Sequence, residues 1–266
     1  MFEHERVVAL AIEAGNTILE VYNRDTATEV SIKDDNSPLT EADLSSHEVI
    51  VEGLQTIDIN TPIVSEEGSV GDPSTSDLCW LVDPLDGTKE FVKRNGMFTV
   101  NIALMTRHKD RWEPIFGVVH APVTSTTWFG GKDIESTKLH SNTTKPIQVR
   151  PNKKDEPTRL VASGSHRGER DEVFAASLGK YDLVRMGSSL KACVVAEGTA
   201  DLYPRFGPTS CWDIAAAHAV VSAAGGLVLD PDGKTLDYDL VNDLLNPYFL
   251  VAAADRWTSD WVESNY

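Results

Sequence analysis

The stretch WLVDPLDGTKEF, Trp80 to Phe91, places two carboxylates, Asp83 and Asp86, three residues apart around Pro84. The apolar run before them reads as a buried strand, and Gly87-Thr88 after them can open a helix. Oxygen ligands are thereby gathered where a strand ends, and hard cations such as Mg²⁺ take oxygen ligands. Two carboxylates at this spacing repel each other unless something positive sits between them. Pro84 lacks an amide hydrogen and fixes φ, so the turn can aim the Leu85 carbonyl at the same point. Gly87 lets backbone come close to a ligand. The amides after it suit a phosphate oxygen, and Thr88 can hold a water.

Cleavage of a phosphate ester fits these groups. It needs a nucleophilic water, neutralised charge on the transferred group and help for the leaving oxygen, and two metal ions ~3.5–4 Å apart supply all three. Asp83 is the natural bridge between such ions, with Glu66 and Asp213 completing the two sites. Further acids stand at other element ends: Glu66-Glu67 after PIVS, Asp213 opening a helix in WDIAAAHAVVSAAGG, and Asp43 in LTEAD. Each also has a plain structural reading. Asp43 follows Thr40 by three residues, a capping box with Asp in place of Glu. Asp213 complements a helix dipole, and Glu66-Glu67 suits a solvated turn.

Outward from this centre, residues 2–23 show helical periodicity, and a second helix is predicted from Thr40 to Leu54 with Leu44, His47, Ile50, Val51 and Leu54 along its inner stripe. TPIVSEEG is a short strand and residues 69–78 a polar loop. FTVNIALM and PIFGVVHAPV read as two strands, and residues 130–146 as a polar excursion. Composition shifts to Pro and charge near 150–157, which divides the chain into an N-terminal subdomain, 1–153, and a C-terminal one, 154–266. The second half alternates strand and helix, the pattern of a layered α/β (α+β) architecture. Gly233-Lys234-Thr235 resembles the end of a Walker A loop, but Val228 stands where its first glycine is required. His218, at helical spacing among alanines, reads as structural.

The formal charge of −17, from 24 basic and 41 acidic residues, leaves no basic face for a nucleic-acid polymer. It also repels a phosphate substrate at long range, so bound metal must invert the local field. Cys79, Cys193 and Cys211 form no CxxC and are expected as reduced thiols. The acidic N-terminus lacks a signal pattern, and the apolar stretch 214–229 contains His218 and two glycines. A cytoplasmic protein is expected, without stable membrane insertion. Loose association with the cytoplasmic face of the inner membrane stays an open alternative, opposed by the net charge.

SEEG, WLVDPLDGTKEF and WDIAAAHAVVSAAGG, in this order and spacing, resemble the Mg²⁺-dependent, Li⁺-sensitive inositol monophosphatase superfamily. SPLTEAD, TKEFVKRNGMFTVNIAL and GSSLKACVVAEGTADLYPRFGPTSCWD are similar to its bacterial 3'(2'),5'-bisphosphate nucleotidases of the CysQ type. The resemblance runs from the first helix to the last strand. It implies an α-β-α-β-α sandwich with the active site between two subdomains, and two or three Mg²⁺ per site. It further implies that Glu66, bridging Asp83 and the Leu85 carbonyl serve metal, that Asp86 and Asp213 hold the second ion, and that Glu67 stands behind the ligands. Asp43 and Thr88 would orient and deprotonate the attacking water, and Gly87 and Thr88 would touch the scissile phosphate. Ser163, Ser165 and His166 in SGSHR, with Gly187 and Lys191 in GSSLK, match substrate-contacting segments. Lys191 would meet the second phosphate, unless it is a solvent-facing helix lysine. Arg205 is a further cation, with function and structure evenly balanced.

The leading expectation is an enzyme that hydrolyses the 3'-phosphate of adenosine 3',5'-bisphosphate, a by-product of sulfate activation, with the sulfated 3'-phosphoadenosine 5'-phosphosulfate as a second substrate by analogy. An inositol or sugar monophosphatase keeps the chemistry and changes the substrate. A non-catalytic cation-binding protein is the third reading. A small-molecule nucleotide is thus the expected partner, and the chain is read as either monomer or homodimer.

Overall fold

In the computed structural model, residues 3–24, 30–32, 38–151, 156–163 and 168–265 are described. Two helices come first, α1 (His4–Tyr22) and α2 (Glu41–Ile57), separated by a small antiparallel pair, β1 (Val30–Ile32) and β2 (Pro38–Thr40). A seven-stranded sheet follows, containing β3 (Ile63–Ser65), β4 (Leu78–Asp86), β5 (Thr99–His108), β6 (Arg111–Ala121), β7 (Thr126–Gly131), β8 (Ile134–His140) and β9 (Thr143–Pro146), in that spatial order. The short helix α3 (Thr88–Val92) leaves the end of β4. The five-stranded sheet has the order β11-β10-β12-β14-β13. Its strands are β10 (Thr158–Ser163), β11 (Tyr181–Met186), β12 (Leu202–Arg205), β13 (Leu227–Leu229) and β14 (Phe249–Ala252), and among them run α4 (Glu169–Ser177), α5 (Leu190–Ala196), α6 (Ala215–Ala223) and, last, α7 (Thr258–Glu263).

The layers are α-β-α-β-α. Helices α1 and α2 cover one face of the large sheet, through β4, β5 and β6. Helix α6 covers the other face and, beside α5, lies between the two sheets; α4 and α7 meet in the outer layer. Period-2 alternation sorts β4 between two cores. Trp80 and Val82 face the α1/α2 core with Ile18, Ile50 and Phe98. Cys79 and Leu81 face the central layer with Val195, Ala216 and Val220. Apolar burial at roughly 25 cal/mol per Å² is the main force holding these layers together.

One irregularity in β4 sets up the site. Asp83 pairs with Asn101 and Asp86 with Thr99, so three steps on β4 span two on β5. In a regular strand, residues three apart point to opposite faces. The extra residue is a β-bulge, and it turns Asp83 and Asp86 to the same side.

Two expectations need correction. Leu44 is 44% exposed. The buried stripe of α2 runs through Ala42, Asp43, Ser46, Ile50 and Leu54 instead, because part of this helix faces the polar site rather than an apolar core. The polar excursion at 130–146 is the hairpin β8–β9 that ends the large sheet. Its strands are polar because their outer edge is solvated, so periodicity reads them as loop. The loop 69–78 holds a single 3₁₀ turn over Pro73–Thr75, with the Ser74 amide donating to Asp72 at 2.8 Å. No described helix is long and apolar enough to cross a membrane. The three cysteines are buried free thiols.

Candidate active site

At the end of β4, carboxylate oxygens of Asp83, Asp86 and Asp213 lie within 4.8 Å of one another. Asp83 is almost fully buried, and its Oδ1 accepts the Leu85 amide at 3.1 Å. Asp86 Oδ2 accepts the Ser188 hydroxyl at 2.7 Å and the Ser189 amide at 2.5 Å. Asp213 Oδ2 accepts the Ser210 amide at 2.9 Å, at the 3₁₀ turn that leads into α6. Glu66, one residue beyond β3, joins Asp83, Leu85, Asp86 and Asp213 in lining a cleft of ≈ 370 Å³, and the Gly87–Glu90 turn completes that wall. None of residues 69–78 lines it.

This collection of acids is costly as it stands. Burial first, then the charges of Glu66, Asp86, Asp213 and Asp43, hold the Asp83 carboxyl well above the usual range. Burial and the Asp86 charge push Asp213 up to about 8. Carboxylates behave this way when nothing positive lies among them, and a divalent cation would reverse the shift. The donors are all oxygens, the set a hard cation takes, so these residues fit a metal.

Asp43 and Thr88 are joined across the fold. The Thr88 hydroxyl donates to Asp43 Oδ1 at 3.2 Å and lies 3.4 Å from the Leu85 carbonyl. The Thr40 amide and hydroxyl hold Asp43 Oδ2 at 2.8 and 2.5 Å. Asp43 therefore caps α2 and reaches Thr88 at once; the two readings of this residue do not compete. Gly87 has φ +95°, and a Cβ there would lie 3.0 Å from the Met97 carbonyl, so this tight strand-to-helix turn requires glycine. Glu67 is half-buried and donates its amide toward the Ser65 hydroxyl at 3.4 Å.

A second chamber, ≈ 140 Å³, adjoins the cleft and shares Asp86, Gly87, Glu90, Thr209 and Asp213 with it. Ser163, Gly187, Lys191, Tyr203 and Arg205 line it further. Lys191 is not the solvent-facing lysine of a surface helix: it is 6% exposed. Its ammonium donates to the Ser188 carbonyl at 2.5 Å and lies 5.1 Å from the Tyr203 ring centre. Burial pulls its pKa down to about 8, against the raising influence of Asp86. The Arg205 Nη2 donates to the Pro208 carbonyl at 3.0 Å, while its buried Nε has no partner among the described residues. Gly187 is needed for packing, since a Cβ there would lie 2.9 Å from Glu90 Cγ. Ser165 and His166 lie outside the described residues.

Sequence reasoning passed over the frame behind Asp86. The Thr99 hydroxyl is 2.6 Å from that of Ser188, and Asn101 Nδ2 donates to Ser189 Oγ at 2.9 Å. Ser189 in turn donates to the Asp213 carbonyl at 2.6 Å. The available signal was polar Thr99 and Asn101 at alternate, inward positions of the apolar run FTVNIAL, since buried polar groups require partners.

The chain matches the model of the inositol monophosphatase family over residues 4–262. It is 46% identical over 253 residues to the 3'(2'),5'-bisphosphate nucleotidase CysQ of Salmonella typhimurium, covering 93% of this chain and 98% of that protein. The CysQ nucleotidase of Haemophilus influenzae is 31% identical over 260 residues, covering 96% and 94%. Among solved structures, CysQ from Bacteroides thetaiotaomicron, a bacterial member of the inositol monophosphatase family, superposes with a TM-score of 0.81 at 37% identity, covering 95% of this chain and 98% of that one. An IMPase from Thermotoga maritima shares the fold with a TM-score of 0.80 at 23% identity, covering 100% and 97%.

Proposed function

Since the chain belongs to the inositol monophosphatase family, whose members are metal-dependent, we propose that it is a 3'(2'),5'-bisphosphate nucleotidase that removes the 3'-phosphate of adenosine 3',5'-bisphosphate, leaving AMP and phosphate. The observation that carries this reading is the buried Lys191 beside the acidic cleft, in a chamber it shares with Arg205. A monophosphate substrate brings these cations no phosphate of its own, whereas a bisphosphate brings a second anion. Kinship with CysQ nucleotidases over nearly the full chain supports the same substrate.

Glu66, Asp83, the Leu85 carbonyl, Asp86 and Asp213 would hold Mg²⁺, two or three ions per site. When bound, these ions supply the positive charge that a transferred phosphoryl group and a departing 3'-oxygen need. The chain's own residues do the rest. Thr88, its proton directed at Asp43, presents oxygen lone pairs to an attacking water. As that water's proton moves to Thr88, the Thr88 proton passes to Asp43, whose other oxygen stays fixed by Thr40. The amides at the start of α3, beyond Gly87, face the scissile phosphate. Lys191 and Arg205 hold the 5'-phosphate by charge-assisted hydrogen bonds, joined by Ser163 and Gly187 on the chamber wall. His166, in the segment that follows Ser163, completes the nucleotide contacts in this reading.

The test is phosphate release with Mg²⁺, with and without Li⁺, from adenosine 3',5'-bisphosphate and inositol 1-phosphate side by side. A strong preference for the nucleotide, suppressed by Li⁺, is expected. Preference for inositol phosphate would keep the metal site and overturn the role of Lys191.

A further inference from the structure

Glu90 is an acid in the wrong place for a site that binds anions. It is the third residue of α3 and lines both the metal cleft and the adjoining chamber. Its stem lies against Gly187, where a Cβ would come within 2.9 Å of Glu90 Cγ. No hydrogen bond or ion pair from the described residues is made to its carboxylate, although its charge reaches Lys191. A phosphate placed against Glu90 would be repelled, so the carboxylate divides the space. The anions go to the metal cleft and to Lys191 and Arg205, and the wall between them is left for a hydrogen-bond donor.

The proposed substrate has one such donor in that interval. Its two phosphates are separated by the ribose, and the free ribose hydroxyl is vicinal to the scissile ester. Resting on the nucleotidase reading above, we propose that Glu90 is the specificity-determining residue for the sugar: its carboxylate accepts the hydrogen bond of the ribose hydroxyl next to the scissile phosphate. Glu90 is half-buried, and a hydroxyl bound to a partly desolvated carboxylate discriminates because its absence leaves the charge without that partner.

The experiment compares kcat/KM for adenosine 3',5'-bisphosphate and its 2'-deoxy analogue in the Mg²⁺-loaded enzyme, its Glu90→Ala variant and its Glu90→Gln variant. The wild type should prefer the ribonucleotide by about tenfold or more, the scale of a hydrogen bond to a charged group. The ratio should fall close to one in Glu90→Ala and lie between the two in Glu90→Gln, which keeps a neutral acceptor. The ratio is the readout because a purely structural or electrostatic role would change both substrates alike. An unchanged ratio in both variants overturns the role of Glu90 while leaving the nucleotidase reading intact. A wild-type enzyme that cleaves neither nucleotide but does cleave inositol 1-phosphate overturns both.

Discussion

Asp83 sits in the strand with its carboxylate among four others, and burial and all four of those charges disfavour its ionised form. Asparagine in its place keeps an oxygen for the Leu85 amide and removes one charge from the cluster. Asp83→Asn should therefore abolish turnover, yet leave the metal-free thermal midpoint equal to or above that of the wild type. It should also shrink the rise in midpoint that Mg²⁺ confers, which follows from binding to the native state alone. Calorimetry with and without chelator, beside a phosphate-release assay, reads all three; a variant with the wild-type rate would remove Asp83 from the bridging role. Lys191 makes the complementary case. Its truncation should cost roughly tenfold to a hundredfold in kcat/KM on adenosine 3',5'-bisphosphate, as for a charged hydrogen bond of about 1.5–3 kcal/mol. The loss on adenosine 3'-monophosphate should be smaller, and equal losses on both would refute contact with a second phosphate.

At the level of elements, the bulge in β4 and the seating of α6 bring the acids together. Asp86 reaches Ser188 and Ser189 only because the bulge turns it to the side where α5 begins. Asp213 arrives on the turn into α6, and α6 lies close to β6 because Gly117 has no side chain. A Cβ at 117 would fall 2.0 Å from the Ala216 carbonyl oxygen. Neither partner can yield cheaply, since the obstacle is backbone. Gly117→Ala should destabilise the protein by about 2–3 kcal/mol and weaken Mg²⁺ binding as Asp213 is displaced. Chemical denaturation and a Mg²⁺ titration of the thermal midpoint would show both effects. Wild-type stability would mean that α6 can shift without penalty. The sequence made most of these elements visible, because strand and helix periodicities are local. It hid the β8–β9 hairpin, whose polar strands lack an apolar face, and the tilt of the α2 stripe toward Asp43.

For the whole molecule, two buried histidines link stability to pH. His120 is hydrogen-bonded to Thr127 at 2.8 Å, and His218 to the Tyr238 hydroxyl at 2.9 Å. Burial lowers each pKa to about 4. The folded protein thus holds both neutral, while the unfolded chain titrates them near pH 6.5. Their contribution is full above pH 6.5 and is lost as the pH falls through about 4, amounting to about 3 kcal/mol each as an order of magnitude. The stability gap between the wild type and His218→Asn should therefore narrow across this window; a gap that stays constant by denaturant titration would show that His218 titrates alike in the folded and unfolded states. Sequence alone determined the family, the layered α/β class, and the clustering of oxygen-bearing residues at strand and helix ends. Those follow from periodicity, capping and turn chemistry, which act between residues a few positions apart. Only the tertiary structure decided that Asp83 and Asp86 share a side, that Asp213 joins them, that Lys191 is buried, and that Glu90 stands between two compartments. These depend on strand register and on the distance between layers, which are set by packing among residues far apart in the chain.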